Sequence, residues 1–274
     1  MDEPIAMRAF GEGPPLVLVH GDFNTGLMAW RRQAQEPNER LLLVPDRRGY
    51  GDSPPLRSPH TIAGDATDIL HAATSAGSAS FDLAGHSFGG LVAIEMARSA
   101  PGRVRSLVLV EPPLLGLLPD HPEVTTLRER TAALWHGASG LSDERLAEAF
   151  FGVLAGSADL ARMKESRGWP GLVREARRAV AGQPPGDYPP EALDDLSPTL
   201  PIAVLAGGKS HPGLRAIAEE IARRTGASLV VAPNQGHAAQ FDQEAFAAAL
   251  AAVATPAARL LVSNAAGGST TRAG

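Results

Sequence analysis

The chain has 274 residues, a formal net charge of −5 and a pI near 5.9. That length suits one large domain or a core carrying an insertion, and it can bury enough surface to need no disulfide or metal. There is no cysteine, which excludes disulfides, thiol catalysis and cysteine-ligated zinc. The acidic balance gives no electrostatic footprint for nucleic acid. The opening Met1-Asp2-Glu3-Pro4 leads into no long apolar run, so it does not read as a secretory signal. No apolar stretch approaches the roughly 18–20 residues of a membrane span. A cytoplasmic protein without a membrane partner is expected, in keeping with the missing disulfides.

In chain order, a weak strand pattern at 5–10 comes first. Stronger apolar runs follow at 15–19, 41–45, 81–84, 107–110, 202–205 and 228–231. Such runs suit strands covered on both faces. Amphipathic stretches fall between them at 61–75, 88–97, 212–224 and 243–254. The first of these places Ile62, Ala66, Ile69, Leu70 and Ala73 on one stripe. This alternation predicts an α/β fold with a mainly parallel sheet flanked by helices.

Between 112 and 195 the strand pattern stops. Helices are expected at 122–135, 142–154, 157–164 and 170–180, with Ser142 and Ser157 as N-caps. Residues 183–190, rich in proline, read as a loop returning to the sheet. The expected organisation is a core of residues 1–111 and 196–262, a helical lid inserted at 112–195, and a mobile tail at 263–274.

Gly85-His86-Ser87-Phe88-Gly89 matches G-x-S-x-G. With 17 serines and 29 glycines in the chain, about 0.2 such matches arise by chance, so the motif alone is weak. Its setting is specific: an apolar run precedes it and a helix-compatible run follows. A strand–turn–helix of this kind presents a serine nucleophile in a strained turn above a helix N-terminus. The plainer reading is a glycine-rich turn with a surface serine.

At this point the chain resembles the α/β-hydrolase family. Leu16-Val-Leu-Val-His20-Gly21-Asp22 is similar to the family's strand and oxyanion loop. Asp46-Arg-Arg-Gly49-Tyr-Gly51-Asp-Ser53 resembles its D-x-R-G-x-G-x-S turn, and Gly236-His237 its late G-H signature. The resemblance covers about residues 14–254 and implies an α/β-hydrolase fold, with Ser87 as nucleophile and His237 as base. It also implies that the backbone N–H groups of Asp22 and Phe88 form the oxyanion hole. His86, locked beside Ser87, is expected to point its ring away from the hydroxyl. An Asp22 side chain is unusual there: it turns outward to bond the loop or meets a polar substrate group.

The acid is harder to place. Where the family usually carries an Asp after the strand at 202–205, this chain has Ser210. Glu111 ends the strand after the nucleophile helix, 111 − 87 = 24 residues beyond the serine. Some haloalkane dehalogenases and the zearalenone-type lactone hydrolases are similar in this respect, which implies the order Ser87, Glu111, His237. The alternative is a strand-end Glu that caps a turn or lines the pocket.

Leu134, Trp135, Leu146, Phe150, Phe151 and Trp169 in the insertion suit an apolar substrate, although most of them can serve simply to fix the insertion to the core. The expected activity is cleavage of a carboxylic ester or lactone of a largely apolar small molecule, with no metal and no organic cofactor. Carbon–carbon or thioester hydrolysis, cofactor-free lyase or perhydrolase chemistry, and a ligand-binding receptor remain open on the same fold. Epoxide hydrolase and dehalogenase chemistry is disfavoured, because those relatives carry Asp where Ser87 stands.

Overall fold

A computed structural model describes residues 3–35, 39–56 and 60–254; the tail expected at 263–274 lies outside them. Among the described residues, seven strands form one sheet: β1 (Met7–Phe10), β2 (Pro15–Val19), β3 (Leu41–Pro45), β4 (Phe81–His86), β5 (Val104–Val110), β6 (Ile202–Gly207) and β7 (Ser228–Ala232). Their spatial order is β1-β3-β2-β4-β5-β6-β7. Only β1 runs antiparallel, against β3; the other pairs are parallel. The weak pattern at 5–10 thus resolves into a short edge strand.

Period-two alternation splits each strand between two cores. Val17, Val19, Leu83, Leu107 and Leu109 face α2 (Ile62–Ser75), α3 (Phe88–Ser99) and α8 (Pro212–Thr225). Leu16, Leu18, Ala84, Val108 and Val110 face the other way, toward α1 (Gly26–Gln35) and α9 (Gln243–Ala252). Helix α1 was not predicted. Its buried positions are Gly26, Ala29, Trp30 and Gln33. The spacing is helical, but a glycine and a glutamine in the stripe mask it.

Between β5 and β6 lie α4 (Pro122–Gly137), α5 (Asp143–Leu154), α6 (Ser157–Lys164) and α7 (Trp169–Ala179), with a 3-10 turn between α4 and α5 and two more after α7. Ser142 caps α5, accepting from Arg145 N–H. Ser157 does not cap α6, contrary to the sequence reading. Gly156 holds that position and no side chain caps the helix, Ser157 being already its first residue. Leu134, Leu146, Phe151 and Trp169 form a separate cluster, and Phe23 from the loop after β2 belongs to it. Phe23 stacks on Phe150 with ring centroids 4.1 Å apart. The helical segment is therefore fastened to the sheet through a residue adjoining the Ser87 site.

The parallel register aligns the strand ends that carry the candidate residues. Val19 pairs Gly85, His86 pairs Val110, and Val110 pairs Leu205. The turn after β4 is tight enough to dictate its flanks. A Cβ on Gly89 would lie 2.4 Å from His20 O and 2.5 Å from Val19 O. Both obstacles are backbone and neither can yield locally. Gly89→Ala is expected to cost about 1–3 kcal/mol or more of unfolding free energy, read from the midpoint of a denaturant melt; a wild-type midpoint would show that the start of α3 is not held this closely against the end of β2.

Candidate active site

Ser87 sits between β4 and α3 at φ 53, ψ −127. Only two other non-glycine residues have positive φ among those described, Phe23 (59) and Glu111 (46). Each follows the end of a different parallel strand. Strain of this kind costs on the order of 1–3 kcal/mol per residue and persists only where surroundings enforce it. Ser87 N–H donates to Val110 O at 2.9 Å, which fixes the turn. Its Oγ makes no hydrogen bond among the described residues and lies in a mainly apolar cleft shared with His237, Asp22, Phe88, Trp135 and Phe150.

Glu111 is fully buried. Oε1 accepts from Gly207 N–H at 2.7 Å. Oε2 accepts from Ser210 Oγ at 2.6 Å and from His237 Nδ1 at 2.7 Å. Three donors around two oxygens suit an acceptor-only carboxylate. Ser210, standing where the resemblance leads one to expect an acid, is instead a donor to the carboxylate from the neighbouring strand. His237 also lines the cleft that holds Ser87, and its Nε2 makes no hydrogen bond among the described residues. Its carbonyl takes a hydrogen bond from His86 Nε2 at 3.0 Å, so His86 braces the His237 backbone.

His20 is buried and held at both nitrogens: Nδ1–H donates to Gly21 O at 2.7 Å, and Nε2 accepts from Arg47 N–H at 2.9 Å. This pattern admits only the neutral ring. Burial, with Arg47 nearby, lowers its pKa to about 3. Burial, with His237 nearby, likewise holds His86 well below the ordinary histidine value.

The Asp22 side chain neither leaves the site nor bonds its own loop. Its Oδ1 accepts from Arg47 Nη2 at 2.5 Å and from Tyr50 OH at 2.9 Å. Burial raises the Asp22 pKa, and Arg47 and Tyr50 counter only part of that rise. Neither Asp22 nor Phe88 uses its backbone N–H in a hydrogen bond among the described residues. The predicted residues Ser87, His237, Glu111, Asp22 and Phe88 are thus gathered at one end of the sheet. Among the described residues no group of three or more His, Asp or Glu is arranged to hold a metal ion.

The profile of the Alpha/beta hydrolase family matches residues 16–249. The chain belongs to the alpha/beta hydrolase family. Curated relatives match a shorter stretch. Lipase LipV of Mycobacterium tuberculosis is 36% identical over 101 residues, 36% of this chain and 38% of that protein. A putative carbamate hydrolase, RutD, of Azorhizobium caulinodans is 33% identical over 110 residues, 40% of this chain and 41% of that one. The chain therefore aligns with about two fifths of the length of these relatives. Solved structures match more fully. An alpha/beta hydrolase from Sphaerobacter thermophilus is 27% identical with a TM-score of 0.64, covering 88% of this chain and 96% of its own. A thermophilic esterase from Thermogutta terrifontis is 25% identical with a TM-score of 0.63, covering 89% and 90%.

Within this site, sequence reasoning missed Arg47, buried to 1% exposure, and the brace from His86. In one dimension Arg47 is indistinguishable from Arg48. Asp46 itself is structural, tying the turn to α1 by accepting from Gly26 N–H at 2.8 Å.

The two buried neutral histidines bear on stability. Their folded pKa values are depressed, whereas the unfolded chain protonates both near pH 6.5. Stability is full above that pH and is lost as pH falls below it. Each ring steepens the loss by up to about 1.4 kcal/mol per pH unit. Urea melts between pH 7.5 and 5 are expected to show this fall; a flat profile would mean that both rings protonate in the folded state.

Proposed function

We propose that this hydrolase cleaves a carboxylic ester or lactone of a largely apolar small molecule through an acyl-enzyme, with Ser87, His237 and Glu111 as its triad. The observation that carries the reading is the 2.7 Å contact between His237 Nδ1 and the buried Glu111 carboxylate, in the cleft that also holds Ser87. Ser87 Oγ attacks the acyl carbon and passes its proton to His237 Nε2. Glu111 holds the ring tautomer and stabilises the imidazolium. The N–H groups of Asp22 and Phe88 receive the oxyanion. The imidazolium then returns the proton to the leaving alkoxide, and the acyl-enzyme remains. Water, deprotonated by His237, attacks that ester and releases the acid and Ser87.

Residues 112–195 act as the lid in this reading. Leu127, Thr131 and Trp135 of α4 and Phe150 of α5 line the cleft, so the substrate's apolar portion lies against the helical segment. The esterase from Thermogutta terrifontis and lipase LipV support an acyl-ester substrate by likeness.

Ser87→Ala is expected to remove turnover of a p-nitrophenyl ester by several orders of magnitude with folding intact. Retention of activity within about tenfold would sink the assignment. The acid is tested by a contrast. Glu111→Gln is expected to lower kcat by roughly 10³–10⁴, as loss of a triad carboxylate does. Ser210→Ala removes one of three donors to that carboxylate and is expected to cost about tenfold or less. The reverse ranking would end the Glu111 assignment.

A further inference from the structure

We propose that Arg47 is a positioning residue that neutralises the Asp22 carboxylate beside the oxyanion hole, and so lets negative charge develop there. The inference rests on the reading of Asp22 and Phe88 as oxyanion donors.

A carboxylate on an oxyanion-hole residue is a contradiction in charge. Asp22 lines the same cleft as Ser87, and the Gly21 peptide before it lies so close that a Cβ there would sit 2.8 Å from Ser87 Cβ. Oδ1 is taken by Arg47 and Tyr50, while Oδ2 has no hydrogen bond among the described residues. An unopposed anion at this position would repel the tetrahedral intermediate in a water-poor site, where charges interact strongly.

Arg47 answers that charge from beneath. Its guanidinium carbon lies 4.6 Å from the Phe88 ring centroid and 4.7 Å from that of Tyr50. It therefore touches the side chains of both donor residues: Asp22 through Nη2 and Phe88 through the ring face. Nη1 donates to Asp65 Oδ2 at 3.0 Å, and Asp65 in turn meets His60 Nε2 at 3.3 Å. Arg47 N–H also anchors His20, which opens the oxyanion loop. One buried residue thus contacts the side chains of both donors and offsets the charge carried by one of them. Asp65 and His60 hold it from the far side.

The test uses full-length protein and p-nitrophenyl butyrate. Hydrolysis by wild type, lost in Ser87→Ala, checks the parent reading separately. Arg47→Met is expected to lower kcat by about 100-fold or more with KM within about threefold, since ground-state binding does not need the neutralised charge. Two isosteric double variants then separate electrostatics at the hole from relief of a buried charge. Arg47→Met with Asp22→Asn is expected to regain at least about tenfold over Arg47→Met, whereas Arg47→Met with Asp65→Asn is expected to regain little. Both pairs remove one carboxylate, so the contrast between them remains informative even if Arg47→Met alone does not fold. Equal recovery in both pairs, or none with Asp22→Asn, overturns the proposal. Should neither pair fold, Arg47→Lys decides. A kcat within about tenfold of wild type supports neutralisation by charge, and a fall of about 100-fold or more rejects it.

Discussion

The site depends on one buried carboxylate. Glu111 has no exposure to water, and an ionised group there is tolerable only if every lone pair that matters has a donor. The donors come from a backbone N–H at the end of β6, a hydroxyl in the turn after it, and the imidazole of the loop beyond β7. A single anion therefore draws together the ends of β5, β6 and the segment after β7. Two backbone bonds reinforce the same junction, Gly208 N–H to Ala232 O at 2.8 Å and Lys209 N–H to Gln235 O at 2.9 Å. The His237 ring is oriented because the carboxylate requires its proton, and this dependence runs in both directions.

Strain follows the same geography. Phe23, Ser87 and Glu111 all have positive φ, where side chains are unwelcome. Each lies just beyond a parallel strand, and each is pinned by different means. Ser87 is held by its N–H bond to Val110 O. Glu111 is held by its three donors and by its own N–H bond to Leu205 O at 3.2 Å. Phe23 is held by stacking into the helical cluster. The sheet and the helical segment between β5 and β6 together stabilise a cleft that local preferences alone would not form.

Much of this was legible in one dimension because the physics is local. The apolar runs at 15–19, 41–45 and 81–84 are strands since no other element buries both faces of so short a run. The G-x-S-x-G turn was readable from its setting, and the absence of a carboxylate near Ser210 turned attention to Glu111. What escaped was long-range. Helix α1 buries a glycine and a glutamine, so its stripe carried too little apolar signal. Ser157 looked like a cap, but the chain reaches its first helical residue one position early. The fate of the Asp22 side chain depended on Arg47, 25 residues away, and nothing in Asp46-Arg47-Arg48 marks which arginine turns inward. Arg48 instead reaches Asp68 on α2.

The two buried ionic assemblies are built around ions of opposite sign, an anion at Glu111 and a cation at Arg47. Around Glu111, one carboxylate faces two neutral donors and a histidine. Around Arg47, one cation is shared by Asp22 and Asp65, which offsets part of the negative charge beside the cleft. His20 and His86, both kept uncharged by burial, separate these assemblies without adding charge to either. In the proposed reaction positive charge appears on His237 while negative charge appears opposite it at the hole. The positive charge lands beside Glu111, and Arg47 offsets the Asp22 carboxylate that would otherwise oppose the negative one. A neutral histidine at position 20 or 86 is thus a requirement of the charge layout as much as a result of packing. Protonating either ring would put a cation where the design has none and would compete with His237 for the role of imidazolium.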